Sequence, residues 1–210
     1  TAASALARNE YNTAPHFIYL PEVAFDQDVF LKDLEKSFEK NCNLIVCVSE
    51  GIHDADGTFI CEYDSSVGTD TFGHKMLAGC GKYLENLVRS RLGVKARSVE
   101  LNVSQRCSAS LISATDQKEA ITAGKFGVQA ALNGETGKMV SFIRQTDSEG
   151  NYQMVCGLED VNAICNEEKT VPLTWITSDG HDVTEDFIRY ARPLIQGNIE
   201  VPLGEDGLPK

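Results

Sequence analysis

Residues 95–106 read Lys-Ala-Arg-Ser-Val-Glu-Leu-Asn-Val-Ser-Gln-Arg. In an extended chain every second side chain falls on the same side, and one such set here consists of Arg97, Val99, Leu101 and Val103. The side chains between them are polar. This period of two predicts a β-strand with one face in a hydrophobic core.

Arg106 lies just beyond the carboxyl end of this predicted strand. In α/β sheets, anionic ligands usually bind at that end of the strands. The planar guanidinium group suits phosphate or carboxylate because it donates several hydrogen bonds in a fixed geometry. An arginine in this place can equally form an ordinary ion pair that ties a loop to a nearby acid. The spacing alone leaves both interpretations open.

The length and charge of the chain restrict its partners. The chain has 210 residues, enough for one domain or one large lobe, and a formal net charge of -12. This acidity, without a basic tail, argues against nucleic acid or an anionic membrane as the main partner. An anionic substrate remains possible, because a few convergent arginines can form a local positive pocket. No apolar run reaches the length of a membrane span.

The seven cysteines are an odd number and are scattered singly along the chain. Their spacing fits neither a zinc-ligand set nor a disulfide framework. We therefore expect reduced thiols, a cytoplasmic protein and no metal site within these residues.

The hydrophobic pattern predicts strands and helices in alternation, which indicates an α/β fold. Strands are predicted at residues 16–20, 44–48, 58–63, 138–143 and 152–155, with Arg144 at the end of the fourth. Helices are predicted in the alanine-rich opening and at residues 26–40, 71–92, 116–133 and 185–195. The first strand, the helix capped by Asp26 and the second strand form a βαβ unit, for which a right-handed crossover is expected.

Glu22 follows the first predicted strand, which Pro21 ends. This position is again on the side of the sheet where ligands bind. An acidic residue near the start of a helix is common for other reasons, and without further information that explanation is the better one.

Several of these stretches together resemble the phosphofructokinase family. Arg97 and the segment that ends in Gln105-Arg106 resemble its sugar-phosphate signature, and Pro21-Glu22 resembles its Pro-Glu pair. The likeness extends to residues 45–51, 72–74 and 115–120, covers most of residues 1–200 and is closest to the pyrophosphate-dependent branch. Asn102-Val103 stands where the family commonly has Gly-His, so one histidine contact to the sugar phosphate is missing.

The resemblance implies a three-layer sandwich in which a mainly parallel sheet is flanked by helices. Residues 1–200 would form a carboxyl-terminal sugar-phosphate lobe, and residues 201–210 a loose acidic tail. The implied function is the acceptor-binding half of a 6-phosphofructokinase that transfers a phosphoryl group from pyrophosphate to fructose 6-phosphate in glycolysis. The alternatives are an ATP-dependent 6-phosphofructokinase, a non-catalytic sugar-phosphate-binding module, or a structural lobe whose arginines form only ion pairs.

The resemblance also implies roles for three residues. Glu22 would accept hydrogen bonds from the sugar hydroxyls, while Arg97 and Arg106 would hold the 6-phosphate. The catalytic base, the donor site and most of the Mg²⁺ ligands would lie outside these residues, so we expect the chain alone to be inactive. Six residues of strand would separate the two arginines by roughly 20 Å. A homodimer or homotetramer with shared sites is therefore expected.

Overall fold

The computed structural model describes residues 1–63 and 79–208. By its contacts the chain divides into two compact units. Unit 1 comprises Thr1–Asn102 and Thr170–Arg189, and unit 2 comprises Val103–Lys169 and Tyr190–Lys210. The first part of the helix predicted at residues 71–92, with residues 72–74 of the family resemblance, lies outside the described residues.

Unit 1 is built on the predicted βαβ arrangement. Strand β1 (Phe17–Tyr19), helix α1 (Gln27–Phe38) and strand β2 (Val46–Val48) follow one another in the chain. The two strands pair in parallel, with Phe17 opposite Val46. Both predicted strands and the helix between them are confirmed, although β2 is only half-buried.

Two local devices fix the start of α1. The carboxylate of Asp26 accepts the backbone N–H groups of Asp28 and Val29 at 2.8 and 2.9 Å, as expected of an N-cap. The rings of Phe25 and Phe30 lie 5.3 Å apart, so the residue before the cap packs against the first turn. Together they fix the direction in which the chain enters α1.

Helix α2 (Cys80–Leu92) closes the core of unit 1. It ends as predicted at Gly93, whose φ of 67° is left-handed and favours glycine. The core consists of apolar side chains from β1, the residue before the cap of α1, α1 itself, α2 and residues 52–61: Phe17, Phe25, Phe30, Leu31, Leu34, Ile52, Ile60, Cys61, Cys80, Leu84 and Val88.

A late segment of the chain completes unit 1 along the other edge of β1. The N–H of Ile18 donates to the carbonyl of His181 at 2.8 Å. Next to it, the Arg8 guanidinium donates to both carboxylate oxygens of Asp182, at 2.9 and 2.8 Å. One backbone hydrogen bond and one ion pair thus join this late segment to the region around β1.

Two smaller elements of unit 1 differ from the prediction. Residues 58–63 contribute a single bridge between His53 and Phe59, followed by a 3₁₀ helix at Ile60–Tyr63, rather than a strand. The alanine-rich opening forms a 3₁₀ helix at Ala2–Ala7 rather than an α-helix.

The strand predicted from residues 97–103 is wrong. Residues 93–101 have no regular secondary structure, and Val99 and Leu101 are 82% and 61% exposed. The alternation of burial is present, but it belongs to the other set: Val94, Ala96 and Ser98 point inward. No described strand offers this segment a partner. Asn102 then takes a left-handed φ of 42°, which interrupts an extended chain.

Unit 2 contains two short helices, one long helix and a hairpin. Its elements in chain order are α3 (Ser104–Cys107), α4 (Ala114–Leu132), β3 (Lys138–Thr146), β4 (Tyr152–Asp160) and α5 (Val161–Ile164). Helix α4 confirms the prediction, and Ser113 caps it. A last helix, α6 (Glu185–Ala191), lies mostly in unit 1 and continues into a 3₁₀ turn at Arg192–Ile195, also as predicted.

The hairpin corrects two further expectations. Strands β3 and β4 pair antiparallel over nine residues each, and β3 is largely exposed rather than buried. Arg144 therefore lies within a strand and not at its carboxyl end. Among the described residues of unit 2, only Ala130 and Ala191 are buried hydrophobic residues, whereas Phe142 is 56% exposed.

Candidate functional site

Glu22 lies in the turn that follows β1, three residues after its last position. Oε1 accepts the backbone N–H of Val171 at 2.7 Å, so a residue from the late segment of unit 1 holds this side chain. Oε2 is buried and has no hydrogen-bond partner within the described residues. A buried carboxylate oxygen without a donor is costly, so this oxygen is suited to accept a ligand hydroxyl.

Arg97 lies in the extended segment after α2, with its side chain exposed. Together with Lys95, on the same side of the segment, and Arg89, from the last turn of α2, it lines an open depression of about 510 Å³. Within the described part of the chain, no hydrogen bond or ion pair joins Arg97 or Lys95 to another residue. Their positive charge is therefore available to an anion.

The fourth charged residue at this depression is Glu85, on α2. Its side chain is only 9% exposed. Oε2 accepts both the backbone N–H of Ser98 at 2.9 Å and the Ser98 hydroxyl at 2.8 Å. The Lys82 ammonium, 2.8 Å from Oε1, and then the two bonds from Ser98 lower the pKa of Glu85 to about 2. This carboxylate thus ties the segment that carries Arg97 to α2 through two hydrogen bonds.

Arg106 lies in α3, a single turn of helix in unit 2, and is exposed. The left-handed Asn102 precedes this turn. Asparagine adopts such a backbone more readily than most residues, which accounts for its presence where the family resemblance expects glycine. Glu22 and Arg97 thus belong to unit 1 and Arg106 to unit 2, so the fold assigns the three predicted residues to different compact units.

The known proteins to which this chain is similar include several that carry the same name. No protein-family model matches the chain. The pyrophosphate–fructose 6-phosphate 1-phosphotransferase of Xanthomonas campestris pv. campestris is 36% identical over 209 residues, which are 100% of this chain and 49% of that protein. The corresponding protein of Rhodospirillum rubrum is 37% identical over 93% of this chain and 48% of its own length. The chain is a phosphofructokinase relative.

A solved structure agrees with this assignment. The pyrophosphate-dependent phosphofructokinase of Marinobacter aquaeolei matches 100% of this chain and 47% of its own chain, with a TM-score of 0.79 and 28% identity. The fold is therefore the α/β fold of a phosphofructokinase. The chain spans about half the length of the curated relatives it matches.

Arg144, which the sequence placed at the end of a strand, has partners within the described residues. The Arg144 guanidinium lies 4.4 Å from the ring centre of Tyr152 and 4.6 Å from that of Tyr190. Within residues 1–63 and 79–208, no group of three or more His, Cys, Asp or Glu side chains could hold a metal ion. In the same residues, no helix is long and apolar enough to cross a membrane.

The sequence pattern indicated Glu22, Arg97 and Arg106 as candidate site residues, and these stay predictions. It did not indicate Glu85 and Lys95, which line the depression together with Arg97. Lys95 could have been found, because the sequence places it two residues before Arg97. Glu85 gives no comparable signal, since its spacing in α2 is that of an ordinary solvated acid.

Proposed function

We propose that this chain is the acceptor-binding half of a 6-phosphofructokinase that transfers a phosphoryl group from pyrophosphate to fructose 6-phosphate. The observation that carries the proposal is the match along the whole chain. Two relatives named for this reaction are 36% and 37% identical over 100% and 93% of its residues. Glycolysis is the pathway and the cytoplasm the location that we propose with it.

Three residues of this chain would bind the sugar phosphate. Glu22 would accept the sugar hydroxyls through Oε2, an oxygen that is buried without a described donor. Arg97 and Arg106 would hold the 6-phosphate, because an arginine can donate two parallel hydrogen bonds to its oxygens. The exposure of both guanidinium groups supports these roles.

Phosphoryl transfer also needs a base near the acceptor hydroxyl and concentrated positive charge around the transferred group. The described residues offer no metal-ligand cluster, so we propose that Mg²⁺ and the donor bind mainly to the half of the relatives' length that this chain does not span. We propose that none of residues 1–210 is catalytic. The role of this chain in the reaction would be to bind and orient the acceptor, fructose 6-phosphate.

The assembly and the finer architecture belong to the same proposal. We propose a homodimer or homotetramer whose sugar-phosphate sites combine Arg97 of one subunit with Arg106 of another. This proposal rests on the family resemblance, because residues 93–101 do not form the strand that was expected to separate the two arginines. We further propose that residues 1–200 form one sugar-phosphate lobe within a three-layer sandwich, with residues 201–210 as a loose tail.

The test compares two preparations. One is the 210-residue chain, and the other is a protein that carries it together with the other half of the relatives' length, hereafter the full-length protein. With fructose 6-phosphate, Mg²⁺ and pyrophosphate, the full-length protein should form fructose 1,6-bisphosphate and the shorter chain should not. Replacing pyrophosphate by ATP identifies the donor.

Each other outcome contradicts a defined part of the proposal. Turnover by the 210 residues alone, with contaminating enzyme excluded, would contradict the division of labour between the halves. A full-length protein that binds fructose 6-phosphate in calorimetry but transfers nothing from either donor would be a binding module. A protein that does not bind it at all would leave only the structural role.

A further inference from the structure

The segment that carries Arg97 lacks the usual means of holding a binding residue in place. Residues 93–101 form no strand, so no ladder of backbone hydrogen bonds fixes them. Val94 and Ala96 pack against the core of unit 1, but apolar contacts are not directional. A phosphate-binding arginine nevertheless needs a defined position, because small displacements weaken charge-assisted hydrogen bonds steeply.

Three contacts hold Ser98, the residue next to Arg97, in place. Its N–H and its hydroxyl both donate to Glu85 Oε2, at 2.9 and 2.8 Å. A side chain at Gly81 would place its Cβ 3.3 Å from the Ser98 Cβ, so α2 approaches this point closely. Because Gly81 and Glu85 are four residues apart in a helix, they lie on one face, and Ser98 sits against both.

We propose that Glu85 is a positioning residue for Arg97, acting through its two hydrogen bonds to Ser98. The inference rests on the proposed function, in which Arg97 holds the 6-phosphate. Glu85 would not touch the substrate. Its carboxylate would fix the backbone one residue from Arg97, and the alternation of the extended segment would direct the arginine side chain outward to the depression.

The charge of Glu85 makes this inference sharply testable. A carboxylate at the rim of an anion-binding depression repels the ligand, so its removal would strengthen phosphate binding if charge were its only effect. A positioning role predicts the opposite sign. The two explanations therefore differ in direction and not merely in size.

The experiment measures steady-state kinetics of the full-length protein with fructose 6-phosphate. Glu85→Ala should raise KM for this substrate about fivefold and leave kcat nearly unchanged. A fivefold change corresponds to the net free energy of about one hydrogen bond. Lys82→Ala is the matched control, because it removes the nearer of the two partners of Oε1, the other being Arg89 at 3.5 Å, and leaves both bonds to Ser98 in place. Its KM should stay within about twofold of the unmodified protein.

A double-mutant cycle with Arg97→Ala separates positioning from general damage. Once Arg97 is absent, Glu85→Ala should add less than about a twofold change in KM. A fivefold effect that persists without Arg97, or a lower KM in the single variant, would overturn the inference. If Arg97→Ala weakens substrate use while Glu85→Ala does not, the inference alone fails. If Arg97→Ala itself has no effect, the proposed role of Arg97 fails, and the inference with it.

Discussion

The carboxylate of Glu22 is held at one oxygen by the backbone N–H of Val171, 2.7 Å away, while its other oxygen is buried without a described partner. The two residues are 149 positions apart in the chain. The contact orients the acid without using its second oxygen. An acid that served only to stabilise a helix start would not need such an arrangement.

Glu22→Gln in the full-length protein should raise KM for fructose 6-phosphate about ten- to hundredfold, because charge-assisted hydrogen bonds contribute about 1.5–3 kcal/mol. Glutamine keeps an oxygen for Val171, so the urea midpoint should change little. Glu35→Gln, an exposed acid on α1, is the control for charge. An unchanged KM in Glu22→Gln, with the substrate range extended to saturation, would return Glu22 to a structural role.

Arg106→Ala should also weaken fructose 6-phosphate use about ten- to hundredfold in kcat/KM, by loss of a charged contact to the 6-phosphate. Arg106→Lys should recover only part of this loss, since lysine lacks the planar pair of donors. Arg144→Ala is the matched control in the same unit, because two tyrosine rings already occupy that guanidinium. Equal losses in Arg106→Ala and Arg144→Ala would point to damage to the fold instead.

Shared sites predict recovery of activity in a mixture. The assay uses a fructose 6-phosphate concentration at which the Arg97→Ala and Arg106→Ala full-length proteins each have little activity. When the two exchange subunits, one site of a hybrid dimer carries both substitutions and the other carries neither. Such a dimer should recover up to about half of the activity of the unmodified dimer. Mixtures of each variant with itself give the baseline. No recovery, with exchange demonstrated by mass, would exclude sites shared between these two arginines.

The β1–α1–β2 arrangement could be predicted because its signals are local. Apolar runs, a proline after the first strand and the cap at Asp26 each act over a few residues, and the structure confirms them. The position of Glu22 beyond β1 follows from the same signals. Its bond to Val171 could not be predicted, because no local pattern connects residues so far apart in the chain.

The segment around Arg97 could not be predicted fully because periodicity does not identify the neighbour. A period of two indicates an extended chain, but which set of side chains turns inward depends on the surface that it meets. Here that surface is α2, where a Cβ at Gly81 would lie only 3.3 Å from that of Ser98. The hairpin shows the same limit, since the apolar Phe142 is 56% exposed.

The low pKa of Glu85 predicts a pH-dependent stability. Lys82, then Ser98, lowers this pKa from its usual 4.5 to about 2 in the folded chain. The contribution of the charged group is therefore fully present above pH 4.5 and is lost as the pH falls toward 2. The difference in urea midpoint between the unmodified chain and Glu85→Gln should be constant from pH 7 to about 5 and shrink below pH 4.5.

Lys82→Ala removes the largest cause of the shift and provides the check. In this variant the folded pKa should be higher, so acid should weaken the contribution of Glu85 at a higher pH than in the unmodified chain. A Glu85→Gln difference that is flat from pH 7 to 2.5 would mean that the carboxylate makes no such bonds in solution.

The cap of α1 predicts a change in stability independent of any ligand. Asp26→Ala leaves the N–H groups of Asp28 and Val29 without their acceptor and should lower the free energy of unfolding by about 1 kcal/mol. Asp26→Ser keeps an acceptor at the cap and should lose much less. Urea denaturation followed by circular dichroism measures both. Equal losses in the two variants would show that the cap bonds are not the cause.

Among the described residues of unit 2, the only buried hydrophobic residues are two alanines. Cooperative unfolding requires many apolar groups that are exposed together from one shared core, and the described part of unit 2 has no such core. The single tryptophan, Trp175, packs against Phe187 in unit 1, with 6.3 Å between ring centres. Its fluorescence consequently follows the order of unit 1. A sharp fluorescence transition would show that unit 1, with the core around β1 and α1, unfolds cooperatively. It would give no information on the folding of unit 2, which carries Arg106.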